Sequence, residues 1–425
     1  MANSFSKEER VAFEDLLEGF QDALVLSRNV SIYNTDGTMM ERAGDTIWRP
    51  MPYIAQSING TPGSSISGSY QDMTQLSVPA SLNNSKTVPW TMTSLELRDA
   101  LQEGRLGDAA KQKLASDINV AIMDVAANQG TLVVPIAAAP GDYDDVALCD
   151  AMMNEQGVPD YDRYLALSSR DYNGLAGNLA AATRSFGNEK SDSAYERSRV
   201  GMVAGFDTFK MGYANRITAQ ATATPTINTA NGSQEYTPAA TSTAVGGEIN
   251  VDNRYQTVTV SSSANVNAGD CFTIDGVESV HHITKQPTGQ PKTFRVISVP
   301  AGGTTLVISP PIIAAATTPS DAALQYKNCE ITAGDSTASI NFLNGKATNV
   351  NVFWQRDALE ILPGRYAVPS DAGTAVMRAS TDQGVELVMQ KFYDIDSMTI
   401  KYRLDTLFGV VCKQPEMAGV LLFNQ

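Results

Sequence analysis

Apolar positions recur at three- and four-residue spacing along residues 106–130, LGDAAKQKLASDINVAIMDVAANQG. Ala110, Leu114, Ile118, Ala121, Ile122 and Val125 fall on one face of the helix this spacing predicts. At ~1.5 Å per residue the rod is roughly 33 Å long. Asp108 places negative charge at its N-terminus, and Gly130 is expected to end it in the left-handed conformation. The β-rich run TLVVPIAAAP follows directly, giving a long helix that hands over to a buried strand. A second helical face covers residues 6–27, opened by a capping box from Ser6 to Glu9. Phe13, Leu16, Leu17, Phe20 and Leu24 make its apolar side, and Glu8, Glu14, Asp15, Glu18 and Asp22 its acidic side. Either this terminal helix packs on its own domain or it reaches out as an arm; the pattern leaves both open.

Between these helices, residues 45–50 (DTIWRP) read as a short strand. Residues 55–90, rich in Gly, Ser, Asn and Pro with alternating stretches, read as a long β-hairpin that lies across something else. Thr93 and Glu96 form a capping box for a helix over 93–103. Beyond the long helix come a helix in 141–157 ending at Gly157, a strand at 163–169, and helices at 171–183 and 191–199. A strand–turn–strand over 200–211 completes a compact α/β pattern. Between Ile217 and Gly247 the only charged residue is Glu235. Strand signals then crowd together at 257–260, 271–276, 292–299, 304–310 and 324–331, predicting a small antiparallel barrel or sandwich. Strand-like alternation resumes at 349–364, and 396–412 reads as a long strand pair. The β module is therefore expected to be an insertion between two halves of one α/β domain.

Composition narrows the function. The net charge of −15 argues against tight non-specific nucleic-acid binding, which needs clustered Lys and Arg. Cys149, Cys271, Cys329 and Cys412 are scattered without a C-x-x-C pair, so they are expected to be reduced thiols. The N-terminal twenty residues lack an apolar signal region, and no run approaches the ~18 apolar residues of a membrane span. His281 and His282 are the only histidines; on a strand they would point to opposite faces and could not share a metal. Acidic pairs such as Asp144 with Asp145, or Asp394 with Asp396, are expected as solvated surface among 46 carboxylates. No G-x-S-x-G, P-loop or G-x-G-x-x-G is present. Neither catalytic residues, nor a cofactor, nor an enzymatic activity is expected. Trp48, Trp90 and Trp354 are expected as core or interface anchors.

The segments DTIWRP (45–50), VAGFDTFK (203–210), NVDNRYQTVTVS (250–261), GDCFTIDGV (269–277) and NVFWQRDALEI (351–361) occur in one order over nearly the whole chain. In that order they resemble the coat proteins of short-tailed phages of the Salmonella P twenty-two group. Those are major capsid proteins of the Hong Kong 97 fold, an α+β architecture, with an inserted antiparallel β-barrel domain. The resemblance implies an N-terminal arm at 1–34, then an extended loop and a peripheral domain with a spine helix over 35–130. The axial domain would begin at 131–218, the inserted barrel would span 219–345, and 346–425 would complete the axial and peripheral parts. Leu114, Ile118, Ile122 and Trp354 would be core and spine positions.

Further expectations come with the resemblance. Copies would form the hexamers and pentamers of an icosahedral shell, assembled in the host bacterial cytoplasm and enclosing double-stranded DNA without sequence-specific binding. The chain opens directly on the arm helix, which implies a separate scaffolding protein; Glu14, Asp15 and Glu18 are its candidate docking residues. A portal protein is a further implied partner. In the family, a loop of the inserted domain reaches a neighbouring capsomer. Here that stretch, STAVGGE ending at Glu248, is Gly-rich and nearly uncharged, which leaves Glu248, Asp252 and Arg254 as candidates. The competing expectation from another class is a phage surface or tail-associated protein whose β module binds saccharide.

Overall fold

The computed structural model describes residues 7–33, 46–52, 72–93, 108–141, 143–182, 197–220, 224–228, 233–316, 319–332, 337–366, 375–381 and 384–425, with isolated positions at 57, 63, 65–67, 70 and 96. The chain divides into two units: residues 1–47, 80–123 and 359–411, and residues 48–79, 124–358 and 412–425.

In the first unit, the N-terminal helix spans Lys7–Ala23 and packs on its own unit rather than leaving as a free arm. Phe13, Leu16 and Phe20 are buried, as is Leu24 just beyond, while Leu17 is half-buried. Ser6, the proposed cap, lies outside the described residues. A six-stranded sheet runs in the order Ser31–Ile32, Leu359–Pro363, Thr399–Cys412, Glu386–Asp394 and Ala375–Ser380, with Asn84–Thr93 also paired to Thr399–Cys412. That antiparallel pairing holds from Thr93 opposite Thr399 to Asn84 opposite Phe408. Two expectations change here. Residues 396–412 hold one 14-residue strand, not a pair. Within it, Gly409 lies where an added Cβ would meet Ser81 O at 2.3 Å, so it serves close backbone approach inside a strand. Likewise, residues 84–90 belong to this sheet and not to the hairpin.

The hairpin is instead the pairing of Thr46–Pro50 with Ser77–Ser81, extended by Met51 N–H donating to Leu76 O at 2.9 Å. Most of the stretch between them lies outside the described residues. The capping box closes as the residue types demand: Thr93 N–H donates to Glu96 Oε2 at 2.9 Å, and Glu96 N–H to Thr93 Oγ1 at 3.3 Å. The rest of that helix, and most of the one expected at 191–199, fall outside the described residues; Ser198 and Arg199 are not helical.

The spine helix runs from Asp108 to Gln129. Leu114, Ile118 and Ile122 are fully buried, but so are Ala115, Met123, Ala126 and Ala127, while Ala121 and Val125 are only half-buried. The covered face is therefore wider than the predicted stripe and rotated from it, because small alanines admit close neighbours that a hydrophobic count underweights. Gly130 does not adopt the expected left-handed conformation. A Cβ there would meet Ala126 O at 2.8 Å and Gly419 N at 3.1 Å, so the backbone of the last strand excludes any larger residue.

In the second unit a mixed sheet has the order Leu132–Pro135, Ala418–Leu422, Asn351–Gln355, Arg163–Ser168, Phe206–Met211 and Met202–Val203. Its central strands Asn351–Gln355 and Arg163–Ser168 are buried on both faces along their whole length. Helices Tyr143–Gln156 and Ser169–Ala182 cover it with Val146, Cys149, Met153, Tyr172 and Leu175. Gly157 (φ +80°) ends the first of these helices in the left-handed region.

Residues 226–342 supply a separate seven-stranded antiparallel sheet. Its order is Thr226–Ile227, Ala338–Phe342, Cys271–Val280, Pro287–Ser298, Thr305–Ser309 and Gln256–Thr259, with Cys329–Ile331 beside Cys271–Val280. Phe272, Ile274, Phe294, Val296, Leu306, Ile308 and Ile340 fill its core. The expected strand over 324–331 is shorter: Asp321–Gln325 is a turn of helix capped by Ser320 Oγ, and only Cys329–Ile331 is strand. His281 and His282 are in a turn, not on a strand.

Candidate functional site

Three polar arrangements and two reaching segments stand out. The first anchors the N-terminal helix. Glu9 is 1 % exposed, and its Oε1 accepts bonds from Lys391 Nζ and Tyr402 OH, each at 2.6 Å. Burial, together with Glu9 itself, raises the Tyr402 hydroxyl well above its ordinary range, so it stays a donor. Trp90 stacks on the same tyrosine ring at 5.5 Å. With its inward carboxylate thus engaged, the helix turns Glu14, Asp15 and Glu18 to solvent.

The second arrangement joins the seven-stranded module to the loop before the last strand. Lys292, 2 % exposed, donates to Glu416 Oε1, and His282 Nε2 lies 3.5 Å from Glu416 Oε2. Burial pushes His282 down to about 4, with Lys292, Lys285 and His281 adding to the effect against the pull of Glu416. Burial also takes Lys285 down to about 8. For Glu416, burial acts upward, yet Lys292, His282 and Lys285 together hold its carboxyl below the usual value. Beside this cluster, Thr293 Oγ1 donates to Thr131 O at 2.7 Å, and Arg295 Nη1 to Gly130 O at 3.4 Å. That arginine therefore meets the carbonyl end of the spine helix, where positive charge is favoured.

The third holds the returning leg of the hairpin. Asp72 N–H donates to Asp321 Oδ2 at 2.9 Å, Gln325 Nε2 to Asp72 O at 2.7 Å, and Tyr326 OH to Thr74 O at 3.0 Å. Nothing in the sequence pointed to these pairs, because 249 to 253 positions separate the partners. The one local signal was the Ser320 cap that fixes Asp321 and Gln325 on a single turn of helix.

Of the reaching segments, Thr241–Ala244 pairs only with Gly247–Asn250, and nearly every residue of this ribbon is exposed. Glu248 lies on it, with Val245 fully exposed at the turn and Ile249 54 % exposed. Asp252 and Arg254, named with Glu248 from the sequence, are elsewhere. Arg254 is 7 % exposed, grips Asp252 with Nη2 at 2.7 Å, and donates from Nη1 to Cys412 O at 2.8 Å. Its charge is thus used within the chain. The other segment carries exposed Ile66, Tyr70 and Met73.

Little of this is reaction chemistry. His281 Nδ1 accepts from the Ile283 and Thr284 N–H groups and serves its turn. All four cysteines are buried free thiols, and burial pushes Cys329 and Cys412 each up to about 12. Among the described residues no group of three or more His, Cys, Asp or Glu could hold a metal, and no helix is long and apolar enough to cross a membrane. Asp394 is tied to Lys401 at 3.0 Å, and Asp145 accepts from Gly141 N–H. Trp354, like Leu114, Ile118 and Ile122, is fully buried.

Well-filled cores, buried polar anchors and an exposed two-stranded ribbon are the features of a structural building block. The chain belongs to the P22 coat protein family (gene protein 5), whose model matches residues 1–424. Its fold is accordingly the Hong Kong 97-type phage capsid fold, and its class is a self-assembling capsid protein of phage virions. Among solved structures, the chain is similar to the I-domain of the CUS-3 coat protein at 38% identity, covering 29% of this chain and 98% of that one, with TM-score 0.22. It is also similar to the capsid of the cyanophage P-SCSP1u (10% identity, 94% and 88% covered, TM-score 0.45) and to Mycobacterium phage Che8 (10%, 94% and 91%, 0.45).

Proposed function

We propose that this chain is a major capsid protein whose copies assemble, with a separate scaffolding protein and around a portal, into a closed icosahedral shell that encloses double-stranded DNA. The observation that carries this reading is the family match over residues 1–424. Assembly proceeds by distributed binding: the exposed 241–250 ribbon has little core of its own, and modest contacts multiply by avidity. Closed symmetry ends growth. In this reading 1–34 is the arm, 35–130 the extended loop and peripheral part, 131–218 with 346–425 the axial part, and 219–345 the inserted domain. The ribbon is the inter-capsomer contact, with Glu248 its charged residue. A net charge of −15 fits a wall that should not trap packaged DNA, with assembly in the host cytoplasm. The exposed Glu14, Asp15 and Glu18 suit a basic scaffolding helix, because opposite charge steers docking while adding little net energy.

The test is negative-stain microscopy with sedimentation of the full chain, with and without co-expressed scaffolding protein. Closed shells of uniform size are expected with it. A stable monomer or trimer under every condition would sink the proposal. Charge reversal at all three acidic positions should leave the subunit folded and stop scaffold-assisted assembly; unchanged assembly would remove the docking assignment alone.

A further inference from the structure

A cleft of about 360 Å³ lies along strand Leu132–Pro135, at the free end of its sheet. One wall is the last two turns of helix Tyr143–Gln156, including Leu148, Met152 and Glu155; the other comes from the seven-stranded module, including Ser279, Pro291 and Leu343. The volume and apolar lining are those of a small-molecule site. Its polar lining is Glu155 and Gln156 from the helix and Thr273, Ser279, Gln290 and Thr293 from the module. Gln156, 5 % exposed, uses its Nε2 on Ser279 Oγ, and its buried Oε1 has no hydrogen-bond partner among the described residues. Of the eleven buried side-chain nitrogen and oxygen atoms without a partner among the described residues, it is the one that lines this cleft, where it can accept from a donor. Glu155 is exposed beside it. No lysine, arginine or histidine lines the cleft.

We propose that this cleft binds a small amphipathic amine, with an ammonium group on a short aryl or alkyl stem. The ammonium brings three donors and no acceptor, which suits Gln156 Oε1 and the Glu155 carboxylate together. The stem covers Leu148, Met152 and Leu343 and loses water in doing so. Because the Ser279 hydroxyl can donate or accept, the Gln156 carboxamide could turn over and present its NH₂ instead. Glu155 decides the matter for a cation: a carboxylate ligand would meet an acidic rim and no counter-charge. The bound amine touches both walls and so stabilises the native arrangement of helix and module by mass action.

The full-length chain titrated with phenylbutylamine and, separately, with phenylbutyrate tests this, read by calorimetry and by melting temperature. Saturable one-to-one binding of the amine with a raised melting temperature is expected, and at least about tenfold weaker binding of the acid. Glu155→Gln should weaken the amine about fivefold and Gln156→Met about tenfold, from the lost charge-assisted and buried hydrogen bonds. Should Gln156→Met fail to fold, Glu155→Gln alters only an exposed side chain and keeps the test open. Absence of saturable binding, equal affinity for amine and acid, or affinity unchanged in the variants that fold would overturn the proposal.

Discussion

Two carboxylates, Glu9 at 1 % exposure and Glu416 with 19 % of its side chain in solvent, do comparable work in different surroundings. Glu9 pins a helix to a sheet through one lysine and one tyrosine hydroxyl, and Lys391 keeps 15 % of its side chain in solvent. Glu416 sits among Lys292, Lys285 and His282, all from the inserted β-rich segment, and Lys292 is 2 % exposed. The first anchor sets one ammonium and one neutral hydroxyl on its acid; the second gathers three basic side chains around a single acid. Removing Glu9 leaves a lysine that can turn toward water, whereas removing Glu416 strands an ammonium group that cannot. A buried ion pair therefore says more about what fails when it is cut than about net stability.

A charge forced into the spine helix sets the upper scale. Ile118→Asp buries an unpaired carboxylate and should cost more than ~4 kcal/mol, giving aggregated protein by sedimentation and circular dichroism. Soluble, assembling Ile118→Asp protein would refute the assignment of the buried face. Next, Glu416→Met should lose roughly 3–5 kcal/mol in urea denaturation, and adding Lys292→Met should restore most of it. If the double variant is no better than the single, the stranded-charge account fails. Glu9→Gln should cost less, about 1–2 kcal/mol, since a neutral acceptor remains for Tyr402 and Lys391 can reach solvent. A loss equal to that of Glu416→Met would erase the distinction between the two anchors.

The smallest effect is on pH dependence. His282 is held at about 4, below its ordinary 6.5, so the folded state favours the neutral ring. Its contribution is complete above pH 6.5 and is lost as pH falls toward 4. The Glu416 carboxyl, held below its usual 4.5, adds a further loss at more acidic pH. Because the His282 ring keeps a fifth of its surface in solvent, the histidine part is discounted to ~1 kcal/mol. Melting temperatures from pH 7 to 4 should fall less steeply in His282→Gln than in wild type; parallel curves would show that this ring is not responsible.

Much of the fold was legible because it rests on local rules. The spine helix, the Thr93–Glu96 capping box, the helix stop at Gly157 and the strands at 163–168 and 206–211 all follow from spacing and cap chemistry within a few residues. The misreadings share one cause. Gly130 reads as a left-handed helix stop, but it is glycine because Ala126 O and the Gly419 backbone leave no room for a Cβ, as the Ser81 carbonyl does at Gly409. Residues 84–90 read as hairpin because alternation identifies a strand without naming its partner, here Thr399–Cys412. The candidate residues divide in the same way. Leu114, Ile118, Ile122 and Trp354 are buried as their patterns required, while Arg254 looked free for an outside partner and is held by Asp252 and Cys412 O.

The sequence by itself therefore determined which segments are helix or strand, which faces are apolar, the acidic charge of the chain and, through collinear segments, its family. These depend on neighbours at most a few positions away or on the order of whole segments. Only the tertiary structure decided which strands pair, why particular glycines are required, and which carboxylate meets which lysine. Glu9 with Lys391 and Glu416 with Lys292 stand 382 and 124 positions apart. At such separations no periodicity survives along the chain, and the pairing is fixed by how sheets stack and by the high cost of leaving a buried charge alone.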